Sequence, residues 1–136
     1  MPIVVKVVSD ADYTTWVQAK KKEMAALADD PSKTYTLEEL KDRGSKVYAA
    51  NCAVCHQPNG KGGGAFPALD GDKVVNGPKE GQYQVLLKGR NAMPSWARLS
   101  DTELAAVMTF TRNSWSNHTG EVIQPSDFVA ARAAVK

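Results

Sequence analysis

The sequence predicts a small all-α domain preceded by one orphan strand and an extra helix. Serine or threonine stands three positions ahead of an acidic residue at Ser9, Thr36 and Ser100, the spacing of a capping box, and amphipathic periodicity follows each. Only one β-branched run, Ile3-Val4-Val5-Lys6-Val7-Val8, reads as a strand. Between the second and third helices, Cys52-Ala53-Val54-Cys55-His56 has the spacing of a c-type haem attachment sequence. Each thiol can add across a porphyrin vinyl group as a thioether, while the imidazole of His56 reaches the iron as proximal ligand.

Two other chemistries use a Cys-x-x-Cys pair. A structural zinc site needs four ligands, but the chain holds only two cysteines, and His118 is its sole other histidine. A redox dithiol of the thioredoxin kind belongs beside a strand-helix-strand pattern, and nothing around Cys52 reads that way. Haem c is therefore the expected cofactor. In a chain of 136 residues, 43% hydrophobic, a porphyrin would supply much of the core, so the apo-protein is expected to fold poorly.

The net charge of +2 argues for neither nucleic acid nor a membrane surface, and no run of eighteen apolar residues marks a transmembrane helix. Within the segment expected to wrap the haem, Lys61, Lys73, Lys79, Lys88, Arg90 and Arg98 outnumber Asp70, Asp72 and Glu80. That balance suits an acidic partner, or is ordinary solvated loop charge. Met1-Pro2-Ile3 opens no secretory signal, yet covalent haem c implies export. The expectation is that a signal was removed or that the chain is a piece of something longer.

Along the chain, the apolar strand has no partner to pair with, which suggests that its sheet lies upstream. A helix is expected from about Asp10 to Ala28, with Tyr13, Trp16, Val17, Met24 and Leu27 on an apolar face that should pack on something. Asp29-Asp30-Pro31-Ser32-Lys33 reads as a linker, with a boundary near Tyr35. Thr36 and Glu39 cap a helix that runs into Cys52, and its Gly44, one turn before Tyr48, predicts close approach of another backbone, that of the helix after Ser100. A Gly/Pro-rich stretch spans residues 60–77. Its Gly60-Lys61-Gly62-Gly63-Gly64 lacks the spacing of a phosphate-binding loop and reads as a turn. A short helix is expected over residues 80–88. Leu104, Val107, Met108, Phe110 and Thr111 form the inward stripe of the third capped helix, which ends near Trp115. Pro125-Ser126-Asp127-Phe128 should open a last short helix through Ala134, read as packing decoration.

A second axial ligand separates electron transfer from catalysis at an open iron site. Met93, in the loop Gly89-Arg90-Asn91-Ala92-Met93-Pro94, is the candidate, because Met24 and Met108 fit helical core stripes better. Trp96 and Tyr48 either line the haem crevice or pack in the core.

The set Cys52, Cys55 and His56 after a capped helix, Pro67 eleven residues on, Met93-Pro94 and the helix from Ser100 resembles class I cytochromes c over residues 36–117. The resemblance implies a class I cytochrome c fold around one haem c. It also implies that the Pro67 carbonyl orients His56, and that Val107 and Phe110 meet Gly44 and Tyr48 at a helix crossing. The remainder resembles the fused cytochrome c domain of bacterial cytochrome c oxidase subunit II of the caa type, on Met-Pro-Ile-Val-Val, Ser9-Asp10-Ala11-Asp12-Tyr13 with Trp16, Ser100-Asp101-Thr102-Glu103-Leu104 and Arg112-Asn113-Ser114-Trp115. In that family the first phrase closes a dinuclear copper site, which would make Met1 a copper ligand. Its partner Cys, His and Glu ligands are absent here, so copper is expected in the parent protein and not in this fragment.

The resemblance divides the chain into a residual strand of a cupredoxin-like copper domain (1–9), a connecting helix and linker (10–35), and a cytochrome c domain with a C-terminal extension (36–136). It implies a non-catalytic electron-transfer fragment of a membrane-anchored parent on the periplasmic side of the bacterial inner membrane. Its expected partners are the copper domain of the same chain, oxidase subunit I, and a soluble or membrane-bound electron donor. The alternatives are a freestanding cytochrome c carrier, or a haem-based gas- or peroxide-binding protein in which Met93 is not a ligand.

Overall fold

The computed structural model describes residues 3, 5–27 and 29–135, and its order of elements is entirely helical: α1 Asp10–Leu27, α2 Leu37–Asn51, α3 Ala53–His56, α4 Lys79–Lys88, α5 Asp101–Arg112 and α6 Pro125–Ala134. The class I cytochrome c fold expected from the sequence is the fold observed. Among the described residues the only β-pairings are two isolated bridges, Gly63 with Phe66 and Arg90 with Met93. Ile3 and residues 5–9 form no ladder, and Ile3, Val5 and Val7 are exposed; Met1, Pro2 and Val4 of the expected strand lie outside the described residues.

The caps work as their spacing predicts, to different degrees. At α2 both halves of the box are present: Glu39 N donates to Thr36 Oγ1 at 3.2 Å and Thr36 N donates to Glu39 Oε2 at 2.8 Å. At α5 Glu103 N donates to Ser100 Oγ at 3.1 Å, and at α1 Asp12 N donates to Ser9 Oγ at 3.2 Å. The cap of α6 is Gln124, one residue earlier than the sequence suggested. Asp127 Oδ2 accepts from Gln124 N at 2.8 Å, and Pro125 takes the first turn, where its missing N–H costs nothing.

The same Gln124 fastens the chain just ahead of α2. Tyr35 N donates to Gln124 Oε1 at 2.9 Å and Gln124 Nε2 donates back to Tyr35 O at 2.8 Å, so the chain is pinned to the start of α6 at Tyr35. Upstream, α1 shows Tyr13, Trp16 and Met24 to solvent, and the partner its apolar face called for is not found among the described residues. Tyr13 and Trp16 stack on each other instead, centroids 6.3 Å apart.

Two helices organise the rest. α2 crosses α5 at Gly44, opposite the backbone of Ala106 and the Cβ of Phe110. The partner expected beside Phe110 was Val107. The observed residue is Ala106, because one step along a helix turns about 100°, and Val107 faces the interior cavity instead. Tyr48, Phe110 and Trp115 close the far side of the crossing, with centroid distances of 5.3–5.6 Å. The last helix is not decoration. Phe128 is fully buried with Leu86, Leu87, Leu104, Met108 and Ile123, and Tyr83 meets its ring edge-on at 4.9 Å.

Burial pushes the phenols of Tyr48 and Tyr83 up to about 12, with Cys52 and Asp127 respectively as the next causes. Both folded values lie above the unfolded value of about 10, so each neutral phenol contributes stability in full below about pH 10 and loses it as pH rises toward 12. Phenolate absorbance should show ionisation near pH 12 coinciding with loss of tertiary structure. A titration complete by pH 10 with the fold intact would contradict this burial.

Candidate haem site

α2 delivers the attachment motif. Its last turn passes to Cys52, whose N–H donates to Tyr48 O at 2.8 Å, and the single turn α3 follows, with His56 N donating to Cys52 O at 3.0 Å. One helical turn places Cys52, Cys55 and His56 along the same wall. Gln57 then leaves the helix with φ 65°, and Tyr48 Oη, donating to Gln57 O at 2.6 Å, holds that exit to α2.

The His56 ring is buried, and its Nδ1 lies 2.8 Å from the carbonyl oxygen of Pro67. A carbonyl only accepts, so the proton sits on Nδ1 and the lone pair of Nε2 is left for a metal. The loop that supplies Pro67 is fixed in turn: Gly62 N donates to His56 O at 2.9 Å, while Leu69 N and Asp70 N both donate to Gly60 O. Asn117 reaches across to the same loop, donating to Leu69 O and accepting from Gly71 N, each at 2.9 Å.

His56 opens on a cavity of about 490 Å³, within the usual range for small-molecule sites. Its walls are predominantly apolar, with Val74 and Val75 from the loop, Val85 and Leu86 from α4, and Val107 and Met108 from α5. All five residues singled out in the sequence line it: Cys52, Cys55, His56, Pro67 and Met93. Trp96 lines it too, with the Arg98 guanidinium 4.3 Å from its ring centroid, whereas Tyr48 belongs to the helix crossing and not to the crevice.

Met93 is carried by a tight turn. Arg90 N donates to Met93 O at 3.1 Å and Met93 N to Arg90 O at 2.9 Å, with Gly89 at φ 77° and Asn91 at φ 54°. A Cβ on Gly89 would sit 2.9 Å from the backbone of Pro94, which explains the glycine there. The turn is anchored to α4 by Trp96 N donating to Leu86 O at 2.8 Å and Ser95 Oγ donating to Leu87 O at 2.6 Å. Met108 also touches the cavity, but it is fully buried in the core cluster.

Burial pushes the Cys52 thiol up to about 11, with Cys55 adding to the shift. A dithiol oxidoreductase needs the opposite, a thiolate stabilised near neutral pH. No three His, Cys, Asp or Glu side chains converge on a metal position among the described residues. A predominantly apolar cavity, two cysteines on one wall, an oriented imidazole and a thioether on a fixed turn fit a covalently bound porphyrin.

A family model described as "Cytochrome C oxidase, cbb3-type, subunit III" matches residues 39–110, more than half of the chain. The chain belongs to this cytochrome c family. Among its curated relatives, "Cytochrome c-552" of Thermus thermophilus is 38% identical over 91 residues, covering 54% of this chain and 69% of the relative. The "Cbb3-type cytochrome c oxidase subunit FixP" of Azorhizobium caulinodans is 38% identical over 73 residues, 50% of this chain but only 25% of that protein. The "Alcohol dehydrogenase (quinone), cytochrome c subunit" of Gluconobacter oxydans is 34% identical over 103 residues, 65% of this chain and 22% of the relative. As a cytochrome c domain the chain takes covalently bound haem c and serves electron transfer. No helix among the described residues is long and apolar enough to cross a membrane.

Of three polar residues by the cavity, Thr111 was placed on the inward stripe from the sequence, whereas the roles of Gln82 and Arg112 escaped the sequence reading. Gln82 and Thr111 line the cavity's inner wall, and Arg112, immediately behind them, is 1% exposed. Gln82 lies in a short helix of mixed composition, and Arg112 drew notice only within the phrase Arg112-Asn113-Ser114-Trp115.

Proposed function

We propose that this domain is a one-electron relay in a terminal oxidase, with haem c attached through Cys52 and Cys55 and its iron held between His56 and Met93. Bound haem c supplies the one-electron ferric/ferrous couple. The chain's own residues hold it. Pro67 orients the imidazole through its carbonyl and increases its basicity. The turn at residues 89–94 presents the Met93 thioether, and the apolar walls exclude water. The observation that carries this reading is the His56–Pro67 hydrogen bond at 2.8 Å on the same cavity that Met93 lines.

Met93→Ala tests it. The ferric protein should lose the weak sulfur-to-iron charge-transfer band, and since axial ligands set haem potentials across about 0.8 V, the midpoint should fall by on the order of 0.1 V or more. Met108→Leu should leave both unchanged. A wild-type protein with five-coordinate spectra would instead make it a gas- or peroxide-binding haem protein.

Delivery to the dinuclear copper centre of the oxidase is the finer part of the proposal. The names of the matched family and of FixP, both cbb3-type oxidase subunits, support an oxidase context, and the copper centre rests on the resemblance of residues 1–16 to subunit II of the caa type. In this reading residues 1–9 belong to the copper domain, 10–35 connect, and 36–136 form the relay on the periplasmic side of the membrane. Coding sequence upstream that specifies membrane helices and a Cys-x-x-x-Cys copper motif would support it, and a stop codon there would overturn it. A freestanding carrier is the second reading. It is favoured by relatives little larger than the matched region, such as "Cytochrome c6" of Cladophora glomerata, of which the chain covers 86%.

A further inference from the structure

Arg112 is one of the most completely buried side chains in the protein, and its partners are specific. Its Nε and Nη2 donate to Glu121 Oε2, Nη2 also donates to Gly77 O at 2.8 Å, and Nη1 donates to Gln82 Oε1 at 3.3 Å. A guanidinium has donors only. The side of Gln82 that faces Arg112 must therefore be its oxygen, and the amide cannot flip. Its nitrogen is turned to the other side, where Nε2 donates to Thr111 Oγ1 at 2.9 Å, and that hydroxyl is already donating to Met108 O at 3.1 Å.

This leaves one hydrogen of the Gln82 amide. Gln82 is only 7% exposed, it lines the haem cavity, and Thr111 accounts for a single N–H. An unsatisfied buried donor costs about 1–3 kcal/mol, so a locked amide on a cavity wall calls for an acceptor in the cavity. Two kinds of acceptor are available there, the propionate carboxylates that a bound haem c would bring and the thioether sulfur of Met93, which lines the same cavity.

We propose that Gln82, its amide fixed by Arg112, is a positioning residue that donates a hydrogen bond into the cavity to an acceptor of the bound haem and thereby raises the reduction potential. This rests on the proposed function above. Both acceptors give the same sign. A hydrogen bond to a propionate draws its negative charge away from the iron, and one to the thioether sulfur weakens its donation to the ferric iron, so each favours the ferrous state. The buried guanidinium behind the amide, though partly neutralised by Glu121, acts in the same direction.

The test uses the haem-loaded chain, exported and matured with covalent haem, and its potentiometric midpoint. Gln82→Leu removes the donor, and the reduction equilibrium constant should fall about tenfold, which is about 59 mV for one electron. Gln82→Glu keeps an acceptor for Arg112, and hence the fold, while removing the donor and adding negative charge, so its potential should fall at least as far. In Gln82→Leu, which adds no carboxylate, a shifted sulfur-to-iron charge-transfer band identifies the thioether as acceptor, and a changed carboxylate infrared difference signal identifies a propionate. Midpoints unchanged from wild type in both haem-loaded variants would overturn the inference alone. A wild-type chain that matures without covalent haem would overturn the proposed function and this inference with it.

Discussion

A chain in which Cys52 and Cys55 are both alanine should be made as a loosely helical, protease-sensitive polypeptide without a cooperative unfolding transition. The cavity behind these residues measures about 490 Å³. Its walls are predominantly apolar, and without haem they would face water and forfeit about 25 cal/mol for each Å² of apolar surface the porphyrin covers. An ordinary domain has only about 5–15 kcal/mol of stability to lose. The void therefore does not persist in apo-protein: its walls collapse, and the elements that form them, the loop after Gly60, α4 and the Met93 turn, lose their fixed positions. The α2–α5 crossing is the part able to survive, because its contacts do not depend on the cavity. Circular dichroism should show far-UV helix signal retained in part with near-UV aromatic signal lost, and the haem-loaded wild type should show both in full. A doubly substituted chain that unfolds cooperatively with native near-UV signal would sink this account.

The features legible in the sequence were those whose chemistry is local. The attachment motif needs only five consecutive residues, and the box at Thr36 only four. The Pro67 carbonyl could be placed through the family pattern, since the loop from His56 to Pro67 is closed by a glycine-rich turn of fixed length. What was not legible depends on register between distant segments. Whether Ala106 or Val107 meets Gly44 is a matter of a single 100° step, and amphipathic periodicity does not resolve it. Phe128 was undervalued because its partners, Leu86, Leu104 and Ile123, come from three other parts of the chain. The Arg112 cluster joins residues 77, 82, 112 and 121 by hydrogen bonds that leave no trace in composition or spacing. Resemblance pointed to the phrase around Arg112 without saying what it did.

Substitution at Gly44 sets two principles against each other. By intrinsic propensity alone, Gly44→Ala in the middle of α2 should stabilise the helix by about 1 kcal/mol. A Cβ there, however, would lie 2.6 Å from the Cβ of Phe110 and 2.7 Å from the carbonyl carbon of Ala106, closer still to that carbonyl's oxygen. The obstruction is backbone, so no side-chain rotation relieves it, and α2 must move away from α5. Overpacking of this kind costs about 1–3 kcal/mol and occasionally more, so packing should outweigh propensity and Gly44→Ala should lower the denaturation midpoint of haem-loaded protein. Gly44→Val adds two methyl groups and a β-branched penalty, and the expected loss exceeds about 3 kcal/mol, a large share of the total. The displacement would also reach the site. Tyr48, one turn along from Gly44, packs on Phe110 and Trp115 and holds the exit of the attachment turn through Gln57 O, so a shifted α2 disturbs the approach to His56. Gly44→Val protein that still matures should therefore show a weakened sulfur-to-iron band together with its lost stability. A Gly44→Ala protein more stable than wild type would mean that the helices are not in contact at this crossing.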